Sequence, residues 1–238
     1  MSEPFIAALC ERIRDHAARR APLAVRGGGT KDFYGHGCAG EVLDMTPYAG
    51  IVAYEPKELV VTVRAGTRLA DLESALAAER QMLPFEPPHF AEGATIGGAV
   101  AAGLSGPRRP YAGSLRDFVL GTRIVNGKGE DLNFGGRVIK NVAGYDVSRL
   151  MAGALGTLGV ITEISFKVLP RPAHETTLVF ELDEENSTSQ ANRWAGLPLP
   201  VSATSWQAGK LRVRLSGALT AVAAAKSKMG GEEIDAAD

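Results

Sequence analysis

Cysteine is nearly absent from this chain: Cys10 and Cys38 are the only two among 238 residues. They lack metal-ligand spacing and no signal peptide precedes them, so the expectation is reduced thiols in a cytoplasmic protein, each a small filler, with no metal site. No apolar run approaches the length that crosses a bilayer. Direct membrane insertion is therefore not expected, and peripheral attachment to the inner membrane would come through partners. Charge of one sign is missing too. A net charge of −1 with no block of like residues points away from a nucleic-acid surface and from a polybasic membrane patch. What the chain has in quantity is glycine, 28 residues, together with alanine, a composition suited to close approach between backbone and ligand. Its length allows one large core or two smaller ones, and its apolar fraction is that of a soluble globular protein.

The glycines are clustered. RGGGTK, residues 26–31, follows the short apolar run Leu23-Ala24-Val25. Three glycines without Cβ atoms can take φ > 0 and aim successive N–H groups at one point, which makes a nest for an anion. A diphosphate fits such a nest: Thr30 adds a hydroxyl donor, and Arg26 and Lys31 add positive charge at the edges. Alone, the cluster reads equally as a strand-ending turn, because one glycine cluster is weak evidence.

Around it the chain reads as mixed α and β. Phe5, Ile6, Leu9 and Ile13 recur at helical spacing, so an amphipathic helix closes near Pro22 with His16 solvated at its end. Gly35, Gly37 and Gly40 mimic a dinucleotide fingerprint, but polar residues precede them and the strand-like run 41–45 follows; the context rejects an NAD-type turn and leaves His36 in a surface loop. Residues 51–54 and 59–63 read as strands, and Thr67 reads as the N-cap of a helix buried through Leu69, Leu72, Leu76 and Ala77. Residues 118–125 and 130–134 are two more strands, joined by the hairpin signal Asn126-Gly127-Lys128-Gly129. The KNVAGYD motif, 140–146, opens a helix carrying Val147, Leu150, Met151 and Ala154. A long apolar strand then runs toward Pro170.

The second glycine cluster lies between these elements, at 92–113 (EGATIGGAVAAGLSGPRRPYAG). Thr95 can cap a short helix whose residues Gly97, Gly98, Ala99, Ala101, Ala102 and Gly103 are nearly all small. Such a helix forms poorly by itself, so close packing on protein or ligand is its reason. Its N-terminus is expected to offer free N–H groups to an anion. Two anion sites suggest one extended phosphorylated cofactor. His89, just upstream, reads as a structural or supporting residue.

Taken in order, RGGGTK, ATIGGAVAAGLSGPRRPYAGSLRDFVLG and KNVAGYDVSRLMAGALGTLGVIT resemble the flavin-binding domain of the vanillyl-alcohol oxidase superfamily, the PCMH-type FAD domain. The match covers about residues 21–170, and within the superfamily it is similar to the FAD-binding subunits of glycolate oxidases. The resemblance implies an α+β fold: a PCMH-type domain of two α+β subdomains at 1–170, then a short, partial ferredoxin-like cap (βαββα) at 171–238. It implies that Gly27, Gly28, Gly29 and Thr30 hold the FAD pyrophosphate, with Arg26 and Lys31 beside them. Thr95, Ile96, Gly97 and Gly98 would form a second wall, with Pro88 nearby. Gly103, Gly106, Tyr111 and Gly113 would line the path to the flavin, Gly156 and Gly159 would permit close approach, and Val160 and Ile161 would pair backbone groups near the adenine. Relatives that attach FAD covalently use a histidine where this chain has Thr30, so non-covalent FAD is expected.

The implied function is the FAD-binding subunit of a glycolate, or 2-hydroxy acid, oxidising complex, alongside a homologous FAD-containing catalytic subunit and an iron–sulfur subunit. Arg108, Arg109 and Arg116 are candidate partners for the substrate carboxylate. After Pro170 the pattern is strand (177–182), helix (near 190–194), two strands (201–206 and 211–215) and helix (219–228), with a last strand barely present. After His89 the one histidine is His174, so no catalytic base is assigned. A non-catalytic FAD-binding scaffold or electron-relay subunit is the alternative, and a flavin reductase of cell-wall precursor synthesis shares the first domain.

Overall fold

A computed structural model describes residues 2–37, 39–136 and 144–234. Cys38 and the 140–143 part of KNVAGYD lie outside the described residues. Helix α1 (Ser2–Arg19) buries Ile6, Leu9, Cys10, Ile13 and His16 along one face, the spacing a 3.6-residue period dictates. Strand β1 (Leu23–Arg26) pairs in parallel with β2 (Glu41–Asp44). Strands β3 (Ile51–Glu55) and β4 (Val60–Arg64) follow, antiparallel across a 3-10 turn at Pro56–Glu58. Next come helix α2 (Leu69–Ala78), the two-residue strand β5 (Gln81–Met82), and helices α3 (Ile96–Ala102) and α4 (Arg109–Ala112). The hairpin of β6 (Val119–Val125) and β7 (Asp131–Gly135) leads to helix α5 (Val147–Met151) and strands β8 (Val160–Lys167) and β9 (Leu169–Pro170). The remainder is β10 (His174–Glu181), α6 (Glu184–Ala195), β11 (Val201–Gln207), β12 (Lys210–Gly217), α7 (Leu219–Met229) and β13 (Glu232–Ile234).

Two compact units result: Met1–Ser105 with Ser114–Leu169, and Gly106–Gly113 with Pro170–Asp238. In the first, five antiparallel strands run in the order β3-β4-β8-β6-β7. Their covered face meets α2 and α3 in a core that includes Val61, Leu72, Leu76, Ile96, Ile164 and Phe166. A second core joins α1 to β2 through Ile6, Leu9, Ile13, Leu43 and Met45, with Val125 and Val160 contributed by the large sheet. Each such aliphatic side chain gains roughly 1.5–3 kcal/mol from burial. Both cores lie within this first unit. The predicted hairpin forms as read, with Asn126 Oδ1 accepting from the N–H groups of Lys128 and Glu130 at 2.9 and 3.1 Å.

Two local expectations are corrected. Thr67 does not cap α2: the N-cap is Arg68. The Thr67 hydroxyl donates to Arg64 O at 2.7 Å and accepts from Gly50 N at 2.9 Å, tying a turn to the strand end instead. His16 is not solvated but 4% exposed, with Nε2 3.3 Å from Glu41 Oε2. It sits on the same face as Ile13 and Leu9, so β2 covers it.

The second unit is an antiparallel sheet in the order β11-β12-β10-β13. Along β12, Leu211, Val213 and Leu215 are buried and the residues between them are not, the period of two that a one-sided sheet requires. They meet Leu178, Trp194 and Val222 in a third core. Strand β13 pairs with β10, Thr177 opposite Ile234 and Val179 opposite Glu232. The strand that barely registers in the sequence is thus formed, and it completes a βαββαβ pattern.

Candidate functional site

Strand β1 ends at Arg26, and the chain turns at once through Gly27, Gly28 and Gly29. The turn is forced against the segment before α3. A Cβ built on Gly28 would lie 1.5 Å from the carbonyl oxygen of Gly93, and one on Gly27 would lie 2.2 Å from Thr95 Oγ1. Gly29 has φ +70°, and a Cβ there would meet the Arg26 guanidinium at 2.4 Å. Only glycine fits these positions. Within the loop, Asp32 N donates to Gly29 O at 3.3 Å, and Arg26 forms an ion pair with Asp32.

Among the described residues, the backbone N–H groups of Gly27, Gly28, Gly29 and Thr30, and the Thr30 hydroxyl, have no protein partner. Four successive donors in a half-open turn are the chemistry of an anion nest. Lys31 follows with its ammonium 5.7 Å from the centre of the Phe90 ring. Burial pushes its pKa below the ordinary lysine value, so an anion at the turn would restore what desolvation takes from the charged form. Arg26, held by Asp32 and laid over Gly29, braces the turn. A diphosphate such as that of FAD therefore fits the residues present.

The second cluster behaves differently. Thr95 caps α3 as expected, accepting from Gly98 N at 3.2 Å. Yet Ile96 N donates to Thr67 O and Gly97 N to Ala65 O, at 2.9 and 2.8 Å. The expectation of free N–H groups at this helix start is thereby overturned, since the protein uses them to dock α3 on the end of β4. A Cβ on Gly97 would lie 2.7 Å from Ala65 Cβ and 2.9 Å from its carbonyl oxygen; the small residues serve protein packing. Thr95 nonetheless reaches the first turn, because its side chain is what Gly27 faces.

The other expected site residues are dispersed. Ile96 is buried in the core, and Pro88 is half-buried. Gly103 ends α3 with φ +68° and packs on Gly153. Gly156, at φ +75°, lies against Val25 of β1, and Gly159 lies against the carbonyl of Val125. Val160 and Ile161 are buried in β8, opposite Val125 and Ile124 of β6. Gly106, Tyr111 and Gly113 belong to the second unit, where the Tyr111 hydroxyl stands 3.5 Å from Thr204 Oγ1. Arg108 contacts Glu175 at 3.4 Å, while Arg109 and Arg116 are exposed. His89 meets Glu73 at 3.2 Å, a structural pairing. Asp32 and Gly93 were missed by sequence reasoning, and adjacency to the two glycine clusters was the one signal that could have pointed to them. Among the described residues no group of three or more His, Cys, Asp or Glu could hold a metal ion.

The chain is 50% identical over 227 residues to glycolate oxidase subunit GlcE of Escherichia coli (strain K12), covering 95% of this chain and 65% of that protein. It is 32% identical over 174 residues to glycolate oxidase subunit GlcD of Bacillus subtilis (strain 168), covering 72% of this chain and 37% of that protein. It is 36% identical over 140 residues to a D-lactate dehydrogenase of Anaerostipes hadrus, covering 59% and 29%. It thus spans about two thirds or less of each relative's length. In fold it is similar to a solved alkyldihydroxyacetonephosphate synthase, with a TM-score of 0.71 at 16% identity, covering 92% of this chain and 47% of that one. Residues 6–135, which hold both glycine clusters and the large sheet up to β7, match the family described as FAD binding domain, and the chain belongs to that family.

Proposed function

We propose that this chain is the FAD-binding subunit of a complex that oxidises glycolate or a related small 2-hydroxy acid. The observation that carries the reading is the row of unpartnered N–H groups at Gly27–Thr30, in a chain half identical to a glycolate oxidase subunit. Gly27, Gly28, Gly29 and Thr30 donate to the diphosphate, Lys31 supplies positive charge, and Arg26 keeps the loop in shape through Asp32. Thr95 sets the spacing between the turn and α3. FAD, when bound, supplies the two-electron chemistry of hydroxy-acid oxidation, while the protein supplies position and electrostatics. It is held non-covalently, with Thr30 standing in the turn where covalent relatives carry a histidine.

Arg108, Arg109 and Arg116 are the candidate partners for a substrate carboxylate; Arg109 and Arg116 are exposed, whereas Arg108 already contacts Glu175. Likeness to both GlcE and GlcD supports a multi-subunit assembly; we extend it to a homologous FAD-containing catalytic subunit and an iron–sulfur subunit. No helix among the described residues is long and apolar enough to cross a membrane. We place the complex in the cytoplasm, with any contact to the inner membrane made through its partners.

The test is the visible spectrum of the purified chain before and after acid precipitation, followed by glycolate oxidation with a dye acceptor, alone and with its partner subunits. Flavin bands that pass into the supernatant, and glycolate turnover in the complex, are expected. A chain that neither carries nor takes up FAD contradicts the reading, and yellow colour retained in the pellet contradicts the non-covalent part.

A further inference from the structure

Next to the glycine turn, two phenylalanines stand in the open. Phe33 is 68% exposed and Phe90 is 56% exposed, although rings of this size are ordinarily removed from water. They come from distant parts of the sequence and yet meet edge to face, with centroids 5.0 Å apart and planes at 88°. Phe90 is held there at φ +58°, a left-handed backbone that a bulky side chain takes up only against a steric cost. Strain of this kind persists where surrounding structure imposes it, and it gathers at binding sites. Scattered surface hydrophobes need no explanation. Two exposed rings that find each other, one on strained backbone, do.

Both rings are tied to the diphosphate turn. Phe33 follows Asp32, which pairs with Arg26 at the start of the turn. Phe90 lies three residues before Gly93, whose carbonyl oxygen is pressed against Gly28. Between ring and turn lies Lys31, its ammonium over the Phe90 face. A ligand whose phosphates accept from Gly27–Thr30 therefore has a cation and two aromatic faces directly beside them.

We propose that Phe33 and Phe90 form an aromatic platform that receives a planar heteroaromatic ring of FAD, either adenine or isoalloxazine. This rests on the FAD-binding reading above. Both ring systems are flat, and both are tethered to the diphosphate. Stacking on a phenylalanine face removes apolar surface from water and tolerates either heterocycle. The Lys31 ammonium, placed between phosphate and ring, fixes the order in which the parts of the ligand lie.

The experiment measures dissociation constants of the full chain, stripped of flavin, for FAD, ADP and FMN by fluorescence and calorimetry. Phe33→Ala and Phe90→Ala are expected to weaken FAD binding about tenfold each, in line with the loss of one base–aromatic stack, and Phe90→Tyr to restore it. A parallel loss for ADP places adenine on the platform; a loss for FMN with ADP unchanged places the isoalloxazine there. Phe90→Gly separates binding from structure. Glycine accepts φ +58° without strain, so this variant is expected to keep or raise its melting temperature while losing FAD affinity, and a merely structural Phe90 would keep its FAD affinity. Wild-type binding of FAD with unchanged affinity in both alanine variants overturns the platform. Failure of the wild type to bind FAD at all instead overturns the reading of the turn.

Discussion

The two glycine clusters of this chain have similar composition and opposite use. At Gly27–Thr30 the backbone bends tightly against Gly93 and Thr95 and leaves its N–H groups without protein partners among the described residues. At Thr95–Gly98 the chain also approaches another backbone closely, but the N–H groups go to Thr67, Ala65 and the Thr95 side chain. Glycine content shows where backbones come close. Hydrogen-bond accounting shows which of the two places has donors left for a ligand.

The comparison breaks most readily at Gly28. A methyl group there would collide with the Gly93 carbonyl, backbone against backbone, so Gly28→Ala is expected to abolish FAD binding and to destabilise the fold by about 3 kcal/mol, at the upper end for overpacking. Gly97→Ala serves as its counterpart: a cost of about 1–3 kcal/mol in thermal or urea unfolding, with FAD affinity of the folded protein unchanged. Equal losses of affinity in the two variants would erase the distinction between the clusters.

A smaller effect tests the contact between them. Gly27→Ala meets Thr95 Oγ1, and Thr95→Ala removes that oxygen while costing the α3 cap about 1 kcal/mol. In urea unfolding the double variant should be more stable than the sum of the single losses predicts, by roughly 1 kcal/mol. Strict additivity would show that the two residues do not touch.

Lys31→Met should weaken FAD binding about tenfold, as expected for one charge-assisted contact at a half-buried site. Its pH dependence has a definite sign. Burial depresses the Lys31 pKa in the folded state; between that value and the ordinary lysine value the unfolded chain holds more protons, so the apo fold gains stability as pH rises there. Affinity for FAD moves the opposite way, falling as pH rises through the depressed value, and the methionine variant should lose that alkaline limb.

The smallest effect is expected at Asp117, which accepts from the Ser114 hydroxyl and backbone N–H at 2.7 and 2.8 Å. These bonds, the hydroxyl first, hold its pKa below the usual aspartate value. Its contribution is present at neutral pH and lost as pH falls through the depressed value. Asp117→Asn should therefore cost about 0.5–1 kcal/mol near pH 7 and less in acid, with FAD affinity unchanged, since this turn spends its donors internally as α3 does.

Much of the fold was legible because it is local. The spacing of Ile6, Leu9 and Ile13, the Asn126–Gly129 turn, and the alternation along β12 each announce one element through its own period. What escaped was set by distant segments. His16 looks like a polar helix end until Glu41 and β2 cover it. Thr67 has the chemistry of a cap, but Gly50 and Arg64 compete for its hydroxyl. The N–H groups of Ile96 and Gly97 are claimed by carbonyls some thirty residues earlier, and β13 is three residues that pair only because β10 offers an edge. At the candidate site, the turn and its donors could be read directly, whereas Gly93 and the Phe33–Phe90 pair depended on tertiary approach.

The most direct measurement follows the backbone amides of the isotopically labelled chain by NMR as ADP is added. The expectation is that the largest shifts fall at Gly27, Gly28, Gly29 and Thr30, with Ile96 and Gly97 nearly unmoved. Large shifts at Ile96 and Gly97 with a silent first turn would contradict it.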